Sequence, residues 1–233
     1  MRILLSLIAF PLFAQLTPLT PEQRGDLYMA RKMYREAIDT YRANAQNSAV
    51  MWDKIGIAYH QLGDLNAARK AYEHAIKLDK KYADAINNVG TVFYAEKKYR
   101  SAISRYNRAL RFAPDSASIY SNLGTAWYAR GNVELMVQAY TKALQLDPEV
   151  FEHRSTMGIL LQERTVDERA KFHYYLARTY AKAGDVEHTL IYVRKALEEG
   201  FKEPEKFKKD PEFQLVRDNP EFKSIISAEH KVL

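Results

Sequence analysis

Residues 52–79 read WDKIGIAYHQLGDLNAARKAYEHAIKLD, and the spacing of their apolar side chains decides the fold. Trp52, Ile55, Gly56 and Tyr59 fall at i, i+3, i+4 and i+7, which puts them on one face of a helix. Ala68, Tyr72 and Ala75 repeat that spacing further along. Gly63-Asp64 stands between the two faces. Glycine there ends one helix in a left-handed cap and aspartate caps the next, so the stretch predicts a helical hairpin.

The same pattern recurs along the chain. Gly25, Gly56, Gly90 and Gly124 are separated by 31, 34 and 34 residues. At the same offsets Tyr28 is matched by Tyr59, Phe93 and Trp127, Ala37 by Ala68, Ala102 and Met136, and Tyr41 by Tyr72, Tyr106 and Tyr140. A fifth, displaced copy carries Ala177, Tyr180, Thr189 and Val193 at these positions. The turn is matched by Gly131-Asn132 and Gly184-Asp185. A side chain at the column glycines would hold the two helices of a hairpin apart. Pro114 and Pro148 fall just past the second helices of copies three and four, and no proline interrupts residues 22–113. A period of this length, shared by several independent columns, signals a repeat array.

Trp52-x2-Ile55-Gly56-x2-Tyr59 with Ala68-x3-Tyr72, and Tyr120-x2-Leu123-Gly124-x2-Trp127 with Tyr140, Ala143 and Pro148, resemble tetratricopeptide repeats. The resemblance covers roughly residues 19–200 and implies an all-α fold, a right-handed α-solenoid of about five hairpins. The copies lie near 18–48, 49–82, 83–116, 117–150 and 170–200, with an insertion at 151–169. Residues 201–233 follow as C-terminal capping helices. In that tail Asp210-Pro211 and Asn219-Pro220 each give an N-cap and a first-turn proline. Two short helices are expected, carrying Phe213, Leu215 and Val216, then Phe222, Ile225 and Ile226. The apolar insertion is expected to prolong the solenoid as an irregular hairpin.

Composition narrows the function. The 233 residues include 35 Lys and Arg against 29 Asp and Glu, a net charge of +6, and no cysteine. Disulfides, thiolate metal sites and thiol nucleophiles are therefore excluded. Arg2, the apolar run from Ile3 to Phe13 and then Ala14-Gln15 read as a signal peptide over residues 1–14, too short to span a bilayer. Export to the periplasm or beyond is expected, with no stable transmembrane segment after its removal and no nucleic acid as partner. The positive balance is read as a solvated or envelope-facing surface.

Catalytic motifs are not found. The six histidines show no HExxH or comparable ligand spacing, and there is no GxSxG or phosphate-cradling loop. No enzyme activity, cofactor or metal is expected; the alternative is an enzyme or enzyme subunit with a pocket near the 149–167 insertion. Stacked hairpins instead line a concave side with their first helices. That face reads Asp53, Lys54, Ile57, His60 and Gln61 in copy two. Asn87, Asn88, Thr91 and Tyr94 follow in copy three, and Ser121, Asn122, Thr125 and Tyr128 in copy four. Tyr174, Tyr175 and Arg178 end the row. Asn88 and Asn122 share a column, and their amides offer donors and acceptors to an extended peptide backbone. Tyr94 and Tyr128 form a second column able to pack on side chains. The expected partner is a protein or peptide held in this groove. The dicarboxylate clamp of tetratricopeptide co-chaperones, which needs lysines and an arginine in neighbouring columns, is not matched by Asp53 and Ser118.

Overall fold

The computed structural model describes residues 18–151 and 166–228. The signal-peptide reading of residues 1–14 and most of the insertion lie outside the described residues. Among the described residues ten helices pair in sequence as hairpins: α1 (Pro21–Ala30) with α2 (Tyr34–Arg42), α3 (Ala49–Gln61) with α4 (Leu65–Leu78), and α5 (Ala83–Ala95) with α6 (Tyr99–Leu110). Then come α7 (Ala117–Ala129) with α8 (Val133–Leu146), and α9 (Val166–Ala183) with α10 (Val186–Glu198). Each second helix also packs on the first helix of the next hairpin, so the array is an α-solenoid. Helix α9 packs directly on α8. The helix begins at Val166, inside the expected insertion, and the irregular hairpin expected there falls outside the described residues. Val150 and Phe151 are buried at this junction, Phe151 lying edge-on to Tyr140 at 4.9 Å and to Tyr180 at 6.2 Å.

The core runs between neighbouring hairpins. Ala37 and Tyr41 of the first pack with Ile55 and Ala58 of the second, and Tyr106 of the third packs with Ile119 and Leu123 of the fourth. The column tyrosines Tyr41, Tyr72, Tyr106 and Tyr140 are almost wholly buried, each ring lying over its own hairpin's glycine. A Cβ built on Gly90 would come 2.6 Å from Tyr106 Cε1, far inside van der Waals contact. The fifth hairpin shows the compensation: Ala177 replaces the glycine where Val193 replaces the tyrosine, and both are fully buried.

The turns divide into two kinds. Gly63, Gly131 and Gly184 have φ of 79°, 75° and 84°, and the following Asp64, Asn132 and Asp185 accept hydrogen bonds from the first turn of the second helix. In the first and third hairpins the same left-handed position holds Lys32 and Lys97, both at φ 59°, and the next residues, Met33 and Lys98, make no side-chain cap. The backbone closes identically: the Lys97 N–H donates to Tyr94 C=O and the Lys98 N–H to Phe93 C=O, both at 2.8 Å. Lysine is strained in this conformation and glycine is not. Lys97→Gly is therefore expected to stabilise the protein by about 0.5–1 kcal/mol, read as a higher urea midpoint at unchanged slope.

The C-terminal segment differs in detail from expectation. A short helical turn, α11 (Lys206–Lys209), precedes a 3₁₀ turn at Pro211–Leu215, and only α12 (Pro220–Ser227) is a regular α-helix with a side-chain cap, from Asn219. Phe207, Phe213, Val216, Phe222 and Ile225 are buried, whereas Leu215 is 62% exposed and takes no part in the cover. The 3₁₀ turn lies on α9 and α12 on α10, so both helices of the last hairpin are covered.

Candidate functional site: the inner face of the array

Counted from the column glycine, the inner face of each first helix offers positions three and two residues before it, and one and four after. The positions before the glycine stitch neighbouring hairpins together. Lys54 Nζ donates to Glu22 Oε1 and to Asp26 Oδ1, both at 2.7 Å. Asn88 Nδ2 donates to Asp53 Oδ1 at 3.0 Å, and Asn122 Nδ2 to Asn87 Oδ1 at 3.0 Å. In all three cases the residue two before the glycine reaches back to the residue three before the glycine of the preceding hairpin. Asn87 Nδ2 also donates to Asn88 Oδ1 at 3.2 Å. A continuous line, Asn122 to Asn87 to Asn88 to Asp53, thus crosses three repeats.

This arrangement corrects the expectation that Asn88 and Asn122 simply project side by side. Both are half-buried and tied into the array. Each amide has two N–H groups, and among the described residues Asn88 and Asn122 each donate one of them.

In the first, third and fourth hairpins the position after the glycine serves the buried tyrosine, whose hydroxyl needs a partner; in the second it is Ile57, which has no polar group to offer. Tyr41 OH donates to Asp26 Oδ1 at 2.6 Å, and Tyr140 OH and Thr125 Oγ1 are 2.9 Å apart. The Tyr106 hydroxyl faces Thr91. Thr125 and Ser121 are therefore buried and do not line an open surface, contrary to expectation.

Tyr174 and Arg178 face the C-terminal segment and not an open groove, contrary to expectation. Tyr174 is buried beneath the C-terminal segment, stacked on Phe201 with ring centroids 4.4 Å apart, and its hydroxyl donates to Asp210. Arg178, with Val193 and no hydroxyl to serve, turns to Glu212 at 2.6 Å. The cap occupies this end of the inner face. The open part is centred on the third and fourth hairpins, with half-buried Asn87, Asn88, Thr91 and Tyr94, then Asn122 and Tyr128. Tyr128 forms its far wall, 5.0 Å from Phe172 and 6.0 Å from Tyr175 between ring centroids.

Asp53 is the charged terminus of the amide line, and only 4% of its surface is exposed. Burial pushes its carboxyl up to about 6; the Asn88 hydrogen bond opposes the shift and the nearby Asp84 charge adds to it. The folded protein therefore takes up this proton at a higher pH than the unfolded chain does. From this group alone, stability is lowest above pH 6 and rises as pH falls through 6 toward the ordinary carboxylate range. Asp53→Asn retains an acceptor for Asn88 and removes the buried charge. It is expected to stabilise the protein at pH 7.5 by roughly 2 kcal/mol, and to flatten the stability profile between pH 7 and 5 in denaturant titrations.

Near the insertion, Leu144, Pro148, Tyr180 and Asp185 line a cleft of about 230 Å³. Its carboxylate, Asp185, caps α10 and lies 2.7 Å from His188 Nδ1. Among the described residues, no group of three or more His, Asp or Glu is placed to hold a metal ion. No described helix is long and apolar enough to cross a membrane.

Residues 56–96 and 90–131 match the family described as TPR repeat, and residues 117–150 the family described as tetratricopeptide repeat. Among solved structures, the chain is similar to a crystal structure of MamA, at 21% identity and a TM-score of 0.52, covering 75% of this chain and 93% of that one. It is likewise similar to MamA residues 41 to the end from Desulfovibrio magneticus RS-1, at 23% identity and a TM-score of 0.52, covering 76% and 92%. No curated protein sequence matches the chain.

Proposed function

The chain is a tetratricopeptide-repeat protein, and from that premise we propose that it is an interaction scaffold whose open inner face holds an extended segment of a partner protein. The observation that carries this reading is the amide line from Asn122 to Asp53. It presents side-chain amides at the spacing of one repeat, on a wall held rigid by the same hydrogen bonds. Rigid donors lower the ordering cost of binding, and amide groups match the alternating donors and acceptors of a peptide backbone. Tyr94 and Tyr128 add aromatic surface for side chains. Asp53 at one end would repel an acidic tail, which favours a neutral or basic segment.

The test is binding of an array of unstructured peptides to the full chain and to Tyr94→Ala/Asn122→Ala. Because Asn122 also ties two hairpins together, a modest loss of stability is expected, and binding must be compared where both proteins are folded. A drop in affinity of tenfold or more supports the groove; peptides bound equally by both proteins place the interaction elsewhere.

Export belongs to the same proposal and rests on Arg2, the Ile3–Phe13 apolar run and Ala14. Cell fractionation with mass measurement of the mature chain tests it, and a cytoplasmic chain retaining residues 1–14 would refute it.

A further inference from the structure

The net charge of +6 is not spread over the molecule. Residues 69–111 contain eleven Lys and Arg against four Asp and Glu, a balance of +7, while the rest of the chain carries 24 against 25, or −1. The whole surplus thus lies on the second and third hairpins, and no acid occurs from Lys97 to Ala113. Along α6, Arg100, Arg105, Arg108 and Arg111 line one cleft of about 380 Å³ with Ser101 and Ser104.

These guanidinium groups are not neutralised. No carboxylate among the described residues lies within ion-pairing distance of any of the four, although Arg69 on the neighbouring α4 has Glu96 at 3.8 Å. Of the acids in the span, Glu96 engages Arg69 and Lys98, and Asp79 accepts from the Lys81 backbone N–H at 2.8 Å. Arg105 lies over the Phe93 ring at 5.8 Å, and Arg108 donates to the Lys80 carbonyl at 3.4 Å, so the arginines are held in place without losing charge.

A second feature lies beside the first. Leu78 and Phe112 are 40% and 41% exposed and one 34-residue period apart, so they occupy the same position at the ends of α4 and α6. Lys77, Lys80 and Lys81 flank one, and Arg111 adjoins the other. Forked guanidinium groups suit phosphate oxygens, but exposed apolar side chains inside a basic collar have no use against a phosphodiester backbone or an acidic peptide. They do suit a lipid interface, where charge draws the surface in and apolar side chains enter the acyl boundary.

We propose that the outer edge formed by α4 and α6 docks on an anionic membrane surface, with its arginines on lipid phosphates and Leu78 and Phe112 inserted between headgroups. The edge belongs to the second helices of the hairpins, so docking leaves the inner face open to a partner. The proposal stands whether or not that face binds peptides.

Vesicle sedimentation with the full chain tests it, using phosphatidylcholine alone and phosphatidylcholine with 30% phosphatidylglycerol. Preferential binding to the anionic vesicles is expected, falling steeply as salt is raised from 0.05 to 0.5 M. Arg105→Gln/Arg108→Gln/Arg111→Gln should lower the partition coefficient on the order of 100-fold, from the usual contribution of each basic residue near an acidic surface. The corresponding triple Arg→Lys variant should retain binding within severalfold, and Leu78→Ser/Phe112→Ser should reduce it about tenfold. All variants keep the apolar N-terminal stretch, so differences report the patch, and circular dichroism checks their folding. Equal binding to both vesicle types, salt-independent binding, or unchanged binding by a folded glutamine variant overturns the proposal. So does tighter binding to a DNA duplex or to polyglutamate than to the anionic vesicles. If the glutamine variant does not fold, the salt series and the Leu78/Phe112 variant decide.

Discussion

Phe213→Ala is expected to lower stability by about 3–5 kcal/mol and to release the last hairpin before the rest of the array. Phe213 is fully buried, with its ring centroid 5.2 Å from Phe207 and 6.2 Å from both Tyr174 and Phe222. Its removal leaves a cavity at the junction of the tail with α9. Repeats contact only their neighbours, so the damage stays near the end of the array. Hydrogen exchange should show early loss of protection in α9 and α10 while α3–α6 stay protected, and urea unfolding should broaden. Unchanged stability would mean that the segment after Gly200 is a docking peptide and not a cap. Acid should act in the same direction as the mutation. Burial alone would raise the Glu212 carboxyl, but the Arg178 hydrogen bond holds it below the usual carboxylate range. Its contribution is therefore present at neutral pH and lost as pH falls through that lowered value, the opposite sign to Asp53.

The repeat columns were legible because their chemistry is local to one hairpin: a glycine and a tyrosine sixteen residues apart touch in each of the first four copies, so both recur there. The turns were only half legible. Lys32 and Lys97 adopt the glycine conformation without being glycine, and nothing in their identity announces it. The inner face was harder, because its bonds are diagonal. Asn122 pairs with Asn87, 35 residues away, and not with Asn88 in its own column. Reading columns straight across therefore grouped residues that the array ties to different partners. Tyr174 and Arg178 belong to the same inner positions, but only the folded tail shows that this copy is covered. The placing of the charge was not legible for a related reason. A total of +6 looks diffuse until the helices place Arg100, Arg105, Arg108 and Arg111 along one cleft.

Gly90→Leu is expected to destabilise by about 3 kcal/mol, the upper end for an overpacked core, because the new side chain must begin inside the Tyr106 ring. Flexibility offers little relief: Tyr106 is 2% exposed, and Arg105 Cβ lies 3.2 Å from the same point. Loss of stability alone would not show that the ring is the cause, since any larger residue in a helix interface is costly. The fifth hairpin supplies the control, where Ala177 and Val193 replace glycine and tyrosine together. Gly90→Ala and Tyr106→Val should each destabilise, the first by collision and the second by leaving a cavity and Thr91 without its hydroxyl neighbour. Combined, they should cost less than the sum of the two by roughly 1–3 kcal/mol, since the valine vacates the space the new methyl enters. Equilibrium urea unfolding of the four proteins measures this coupling. Strict additivity would mean that the column is glycine for a reason other than the tyrosine ring, and that the covariation in the fifth hairpin is coincidental.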